Sequence, residues 1–425
     1  MTTLMAMPYN LPTAESLDRE ACARLDDADA LAAQREAFDL PEGVIYLDGN
    51  SLGPLPKAAV ARLEHAVKHE WGQGLVRSWN DAGWFDAPRR AGGKLAPLLG
   101  ADADEVVIAD STSVNLFKLL MAALRLRPGR HVIVVDPDDF PTDVYIAQGV
   151  QRLIRGCELR LLKNGDLGRA LDKRVAVVAM SHVDYKTARM LDLPVVTKQV
   201  HDSGALMLWD LSHSVGAMPL DLHAAEADLA VGCTYKYLNG GPGAPAFLYV
   251  AQRLHGKLDQ PLTGWMGHAA PFDFSSKYLA SAGVSRALCG TPPILSLAAL
   301  EAALDQWHGV DLAAVRAKSV ALGELFVHRV EQRCPPGELQ LASPRAVSAR
   351  GSHVALRHAH GYAVMQALIA RGVIGDFRAP DLMRFGFAPV YNRFVGAWDA
   401  AATLAEVLHS RAWEREEYGR QQRVT

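Results

Sequence analysis

The stretch ALMLWDLSHSVG at residues 205–216 joins a continuous apolar run to a polar end, and this junction decides the fold. Apolar runs of this length, without alternation, are typical of strands buried on both faces of a parallel sheet. In such sheets ligands bind beyond the carboxyl ends of the strands. Asp210 and His213 therefore stand where a binding site is expected.

Short apolar runs of the same kind recur along the chain, and helical patterns separate them. Helices are predicted at residues 114–124 and 193–204. Strands that alternate with helices predict an α/β domain with a mostly parallel central sheet flanked by helices. The other predicted strands of this sheet are residues 106–108, 132–135, 175–178 and 229–231.

The pattern changes after about residue 300, which predicts a second, smaller domain. Alanine- and leucine-rich helical stretches at 294–307 and 312–333 lead into short strands, among them 353–356 and 373–377. A chain of 425 residues is long enough for two domains. We expect a large ligand-binding domain over 58–300, a small α+β domain over 301–425, and an N-terminal arm, 1–57, that packs with the small domain.

Composition excludes several classes of protein. The net charge of −3 gives no general attraction to nucleic acid or to anionic membranes. No apolar run is long enough to span a bilayer. The five cysteines lack CxxC spacing, and His353, His358 and His360 do not match a helical ligand pair, so neither a disulfide framework nor a metal site is expected. Reduced cysteines and an N-terminus without a signal-peptide pattern predict a cytoplasmic protein.

Lys236 has surroundings that suit covalent chemistry. It stands 26 residues after Asp210, between a predicted strand and the glycine-rich loop 237–243. A single lysine is most often a solvated surface amine. However, a lysine amine can also form an imine with pyridoxal 5′-phosphate (PLP), and a carboxylate can keep the pyridine nitrogen protonated, which makes the ring an electron sink. The combination with the strand-end Asp-x-x-His favours this second interpretation.

Two further polar segments each allow two interpretations. Ser111-Thr112-Ser113 follows a predicted strand, where its hydroxyls would cap a helix or its free N–H groups would hold a phosphate. Residues 140–143, Phe-Pro-Thr-Asp, would form an ordinary turn or place an aromatic lid over a planar ring, with polar anchors beside it.

Together these motifs resemble the fold-type-I PLP-dependent enzymes and, among them, the kynureninase family, over nearly the whole chain. The most specific segments are Gly-Asn-Ser-Leu-Gly at 49–53 and Gly-Trp-Met-Gly-His at 264–268. The other matching segments are residues 140–143, 210–216, 235–239 and 290–294, and Arg384 with 389–392.

The resemblance implies PLP held as a Schiff base on Lys236, with Asp210 on its pyridine nitrogen and Tyr235 as a proton shuttle. Arg384 would bind the substrate α-carboxylate, which suits its two-donor fork. Trp265 and Thr291 would come from the partner subunit of a homodimer, and Thr291 stands where some members carry asparagine. Which of Thr112 and Ser113 makes the side-chain phosphate contact stays open. The remaining implied cofactor contacts are Phe140, Pro141, Thr142, Asp143 and His213.

The implied activity is hydrolysis of the Cβ–Cγ bond of L-kynurenine, or of 3-hydroxykynurenine, to anthranilate or 3-hydroxyanthranilate and L-alanine, in tryptophan catabolism and NAD biosynthesis. A cysteine desulfurase or a related class V enzyme is an alternative, and it would require a nucleophilic thiol such as Cys289 or Cys334. A PLP-binding regulator without turnover is a second alternative, but the sequence shows no nucleic-acid-binding segment.

Overall fold

The structure is a computed structural model that describes residues 18–163 and 165–422. Its strands are short and largely buried. In chain order they are β1 (Phe38–Asp39), β2 (Ile45–Tyr46), β3 (Leu55–Pro56), β4 (Val106–Ile108), β5 (Val132–Val135), β6 (Glu158–Leu161), β7 (Val175–Ser181), β8 (Leu206–Asp210), β9 (Leu229–Gly232), β10 (Phe247–Val250), β11 (Gln340–Leu341), β12 (His353–Arg357), β13 (Val373–Ile374), β14 (Asp376–Arg378) and β15 (Leu382–Gly386).

The α-helices cover both sheets and also fill the N-terminal part of the chain. They are α1 (Arg19–Asp27), α2 (Ala32–Arg35), α3 (Lys57–His65), α4 (Ser78–Asp81), α5 (Ala87–Leu99), α6 (Thr112–Leu126), α7 (Pro141–Leu153), α8 (Leu167–Ala170), α9 (Leu193–Asp202), α10 (Ile294–Asp305), α11 (Leu312–Arg333), α12 (Gly361–Ile369), α13 (Phe394–His409) and α14 (Glu416–Gly419).

The central sheet has seven strands in the order β4-β10-β9-β8-β7-β5-β6. Neighbouring strands from β9 to β6 are parallel, whereas β10 runs antiparallel to both β4 and β9. Every residue of β8 is buried, as expected for a strand covered on both faces. The predicted α/β fold with a mostly parallel sheet flanked by helices is confirmed.

The C-terminal part of the chain contains a second, antiparallel sheet in the order β11-β12-β15-β14. The strand predicted at 373–377 is wrong as a single element, because β13 pairs in parallel with β2 and β14 pairs with β15. The break falls at Gly375, where a Cβ atom would lie 2.6 Å from the carbonyl oxygen of Arg384. The close approach of two backbones therefore divides this run between two sheets.

The N-terminal segment contacts the C-terminal elements directly. Besides the pairing of β2 with β13, the carboxylate of Asp26 accepts hydrogen bonds from the backbone N–H groups of Phe394, at 2.6 Å, and Val395, at 3.1 Å. Lys318 in α11 pairs with Asp29 at 2.5 Å, and both side chains are buried. Residues 1–17 of the predicted arm lie outside the described residues.

None of the helices in the described part of the chain is both long enough and apolar enough to cross a membrane.

Candidate active site

A cavity of about 400 Å³ lies at the carboxyl edge of the central sheet, facing the antiparallel sheet. Chain segments that are far apart in sequence meet there because parallel strands end at one edge. Most of the residues predicted from sequence line this cavity, namely Thr112, Ser113, Phe140, Thr142, Asp143, Asp210, His213, Tyr235, Lys236 and Arg384.

Lys236 lines the cavity beside a neutral histidine. Its Nζ atom is 3.4 Å from Nδ1 of His213. Burial lowers the pKa of His213 well below its usual value, and the positive charge of Lys236 lowers it further. The ring is therefore uncharged at neutral pH, and Nδ1 can accept a hydrogen bond from the lysine amine.

Asp210 and Asp143 line one part of the cavity, and the charge of a third acid, Asp139, acts on Asp143. Asp210 ends β8, and its Oδ1 accepts a hydrogen bond from the backbone N–H of Ser212 at 2.7 Å. Burial raises the pKa of Asp143 well above its usual value, and the charges of Asp210 and Asp139 raise it further. Burial also raises the pKa of Asp139, to about 7. A cationic group bound here, such as a protonated pyridine nitrogen, would relieve this excess of acid.

The N-terminus of α6 lines another part of the cavity and suits an anion. Ser111 caps the helix, with its Oγ accepting from the backbone N–H of Val114 at 3.4 Å, and Thr112 and Ser113 occupy the first turn. Free backbone N–H groups and the helix dipole favour a phosphate at this place. The capping interpretation of the serine–threonine segment is confirmed, and the segment also lines the cavity, where phosphate binding stays a prediction.

An ion pair with one buried partner supports this end of the cavity. Asp110, which precedes the cap, lines the cavity with φ of +46°, in the left-handed region that L-residues rarely adopt. Its carboxylate is paired with Nζ of Lys118, a fully buried side chain that also donates to the carbonyl of Ala287 at 2.6 Å. The lysine neutralises an acid that would otherwise repel a phosphate.

Backbone hydrogen bonds connect the anion-binding end to the loop that follows Lys236. The N–H of Ala109 donates to the carbonyl of Ala246 at 2.8 Å, and the N–H of Ala246 donates to the carbonyl of Asp110 at 2.9 Å. A lysine amine, an acid-rich end and an anion-binding helix end thus face one cavity in a fixed arrangement. These groups match the aldehyde, pyridine nitrogen and phosphate of PLP, so the residues present fit this cofactor.

The wall facing the sheet carries two arginines that share one aspartate. Arg384, with an exposure of 1%, donates from Nε to Oδ1 of Asp376 at 2.6 Å, and a second nitrogen contacts Oδ2. Arg378 also pairs with Asp376, at 2.8 Å. Its side chain is one third exposed, and it lines the cavity. Sequence reasoning missed Arg378, although it lies six residues before Arg384, on the neighbouring antiparallel strand.

Other residues of the same wall were also missed. Ser51 donates to Asp376 at 2.6 Å, and the carbonyl of Tyr185 accepts from Arg384. Asn50 and Ser51 line the cavity and belong to the Gly-Asn-Ser-Leu-Gly segment, which was recognised as specific without a role for its side chains. That segment was therefore the signal from which Asn50 and Ser51 could have been predicted. The sequence around Tyr185 contains no such signal.

Phe140 lies at the mouth of the cavity. Its ring is 47% exposed and meets the ring of Tyr185 edge to face, with centroids 5.3 Å apart. Thr142 and Asp143 follow it in the first turn of α7 and line the cavity, whereas Pro141 begins the helix and is not among the lining residues.

Trp265 and Thr291 are not brought to the cavity of their own chain. Trp265 lines a separate cavity, with His268, and packs against Phe272 with ring centroids 6.0 Å apart. Thr291 is exposed just before α10. A single chain therefore leaves these two predicted contacts away from Lys236.

The thiols considered as nucleophiles lie outside the cavity. Cys289 donates to the carbonyl of Leu262 at 2.7 Å, and burial raises its pKa. Burial also raises the pKa of Cys334, to about 12. Cys233, which the sequence did not single out, does line the cavity, and its proximity is the main reason that the pKa of Tyr235 is raised. Tyr235 is therefore protonated at neutral pH and able to donate.

This site defines a PLP-dependent enzyme of fold type I. It combines a lysine, a strand-end acid and an anion-binding helix end at the carboxyl edge of the sheet. The solved cysteine desulfurase of Thermococcus onnurineus NA1 is similar, with a TM-score of 0.74, 19% identity, and coverage of 89% of this chain and 98% of that chain. A mutant of C-DES with glycine covalently linked to its PLP cofactor also has a TM-score of 0.74, with 18% identity over 88% of this chain and 99% of that one.

Within this class the chain belongs to the kynureninase family. Kynureninases from Burkholderia mallei (strain SAVP1) and Pseudomonas fluorescens are 54% and 51% identical to it over 413 residues, which cover 96% of this chain and 99% of each relative. Residues 315–404 match the family model of the kynureninase C-terminal domain.

Proposed function

We propose that this protein hydrolyses the Cβ–Cγ bond of L-kynurenine, or of its 3-hydroxy form, with PLP as cofactor on Lys236. The products are anthranilate, or 3-hydroxyanthranilate, and L-alanine, a step of tryptophan catabolism that also serves NAD biosynthesis. One observation supports this function above the others: the Lys236 amine shares a cavity with an acid-rich end, an anion-binding helix end and a pair of arginines. An α-amino acid suits that set, and the identity to kynureninases favours kynurenine among the α-amino acids.

Bound PLP would supply an electron sink for the carbanions that form at Cα and Cβ of the substrate. Asp210 would hold the pyridine nitrogen, Thr112 and Ser113 the phosphate, and His213, Thr142 and Asp143 the remaining cofactor substituents. Phe140 would cover the ring face at the mouth of the cavity, and Pro141 would fix its position by starting α7.

Two side chains of the cavity would move protons. Lys236 would remove the proton at Cα, and the neutral ring of His213 at 3.4 Å offers its amine an acceptor. Tyr235, protonated because its pKa is raised, would donate to the γ-oxygen as water adds to the γ-carbonyl, or to Cβ as the Cβ–Cγ bond breaks. Arg384 would hold the substrate α-carboxylate, which fixes Cα against Lys236.

Assaying both kynurenines side by side on the purified protein tests this function. We expect equal amounts of alanine and of the aromatic acid, and no sulfide from L-cysteine. Borohydride reduction followed by peptide mapping should find a pyridoxyl group on Lys236. Sulfide from cysteine without cleavage of kynurenine would favour the desulfurase alternative.

We also propose a homodimer in which Trp265 and Thr291 complete the active site of the partner. The exposed aromatic side chains of Trp265, Phe272 and Phe274 support this, since large apolar patches mark contact surfaces. An apolar cavity of about 590 Å³ supports it as well, because Ala244 lines both this cavity and the catalytic one. A second copy seated there would lie beside Lys236.

A mixing experiment tests the shared site. Lys236→Ala lacks the amine and Trp265→Ala lacks the ring, so each homodimer should be impaired. A hybrid dimer made by co-expression has one site that combines an intact Lys236 with an intact Trp265 from the other chain. We expect activity to return in the hybrid. No recovery, in a hybrid verified as a dimer by sedimentation, would contradict the exchange.

The domain division follows the same proposal: an arm over 1–57, a large PLP-binding domain over 58–300 and a small C-terminal domain over 301–425. The pairing of β2 with β13 supports the association of the arm with the small domain.

We propose a cytoplasmic location, which the free cysteines support, since disulfides are rare in reducing compartments.

A further inference from the structure

Asp48 lies directly behind the two arginines of the substrate-facing wall. Its backbone forms a bridge with Gly386, two residues after Arg384, and its carbonyl accepts from the N–H of Ser51 at 2.9 Å. Leu47, just before it, donates to the carbonyl of Ile374 at 2.7 Å. Asp48 is therefore held between β13 and β15, next to the ion pairs that Asp376 makes.

The carboxyl group of Asp48 has poor surroundings for a negative charge. Its Oδ1 atom is enclosed and has no hydrogen-bond partner among the described residues. An unpaired buried charge costs far more than an unpaired neutral group. Burial, and next the charge of Asp376, raise the pKa of Asp48 to about 8, although Arg384, a hydrogen bond from Ser51 and Arg378 oppose this rise. Asp48 is thus uncharged at neutral pH and ionises as the pH rises through about 8.

The other titratable groups that face Asp48 do not change charge in this range. They come from β2 (Tyr46), from the segment after Lys236 (Tyr237), and from the loop after β15 (Tyr391). Burial raises the pKa of all three, so they stay neutral. His353 in β12, beside Arg384, is kept neutral by burial, which lowers its pKa to about 3.

The formal charges of Arg378, Arg384, Asp376 and Asp48 give the net charge of the wall. Arg384 and Arg378 contribute two positive charges and Asp376 one negative charge, which leaves a net charge of +1 while Asp48 is neutral. A substrate α-carboxylate brings that sum to zero. When Asp48 is ionised, the wall is already neutral without the substrate.

We propose that Asp48 is a positioning residue that, by staying uncharged, keeps one positive charge of the Arg378–Arg384 pair available to the substrate α-carboxylate. Its ionisation then weakens carboxylate binding. This inference rests on the proposed function, because it assumes that the arginine wall receives a carboxylate.

The test uses a probe whose own charge is constant. 3-Benzoylpropanoate has the carbon skeleton of kynurenine and a carboxylate, but no amine that titrates near pH 9. Its inhibition constant against kynurenine is measured on the holoenzyme from pH 6.5 to 9.5 for the wild type and for Asp48→Asn, which cannot ionise. Asp381→Asn is the matched control, because Asp381 pairs with Arg357 on the same sheet and does not line the cavity.

We expect the wild type and the control to bind the probe about tenfold more weakly at pH 9 than at pH 7, since one pH unit above the pKa corresponds to a tenfold change. Asp48→Asn should show a nearly flat profile. A flat wild-type profile overturns the inference without any variant. The same slope in Asp48→Asn and the wild type overturns the role of Asp48 but leaves the carboxylate site in place. A probe that binds none of the proteins overturns the carboxylate site itself, and the inference with it.

Discussion

Replacing Lys118 by methionine should lower both the free energy of unfolding and the affinity for PLP. Methionine fills nearly the same volume without a charge, so the Asp110 carboxylate and the Ala287 carbonyl lose their common donor. Removing one partner of a fully buried ion pair costs about 3–5 kcal/mol. Because the Asp110 side chain is 33% exposed, water replaces part of the loss. We expect the free energy of unfolding to fall by about 2 kcal/mol.

The effect on the cofactor follows from the position of Asp110 beside the N-terminus of α6. Without Lys118 its charge faces the phosphate. Two unit charges about 7 Å apart in an effective dielectric constant of about 20 repel each other by about 2.4 kcal/mol, and we take this as the scale of the effect. Screening at physiological salt, with a Debye length of about 8 Å, reduces it to about 1 kcal/mol. PLP should therefore bind about fivefold more weakly.

Titration of the apoprotein with PLP, followed by absorbance, measures this dissociation constant, and urea unfolding measures the stability. The double variant Asp110→Asn/Lys118→Met removes both charges and should recover most of the affinity for PLP. High salt should narrow the difference between Lys118→Met and the wild type. If Lys118→Met binds PLP as tightly as the wild type, or if the double variant binds as weakly as the single one, the electrostatic argument fails.

Further predictions concern individual side chains. Lys236→Ala should abolish turnover while circular dichroism stays native; residual activity near the wild-type rate would contradict the role of the amine. Asp210→Ala should lower kcat at least 100-fold, on the order of the loss when one strong transition-state interaction is removed, as measured under saturating substrate. Arg384→Ala should mainly raise KM, and an unaltered KM would remove this residue from the substrate site. Cys289→Ala should leave kcat within about twofold of the wild type, because its thiol does not line the catalytic cavity.

The parts of the site that the sequence predicted lie at strand ends and helix starts. Asp210 and Thr112 were found because continuous apolar runs and a serine cap leave local signals, and local signals survive in any fold. Lys236 needed the combination of a strand, a glycine-rich turn and a distant acid. The helix predicted at 312–333 coincides with α11.

The parts that the sequence did not predict depend on contacts between distant segments. The break at Gly375 has no local cause, because it comes from the approach of the Arg384 backbone. Arg378 and Asp376 come next to Arg384 only when β14 pairs with β15. Lys118 was not singled out in the sequence, and it is fully buried because its partner is Asp110 and not water.

The pairing of β10 with β4 has a consequence for how this enzyme can change. The two hydrogen bonds between Ala246 and the backbone around Asp110 fix the spacing between the lysine and the phosphate end as firmly as the sheet itself. Mutation cannot easily lengthen or shorten that spacing. The wall that carries Arg378 and Arg384 belongs to the antiparallel sheet, and no strand of the central sheet contributes to it. Substitutions in that wall are therefore the easiest way to change which substrate binds. They leave the lysine and the phosphate end of the cavity unchanged.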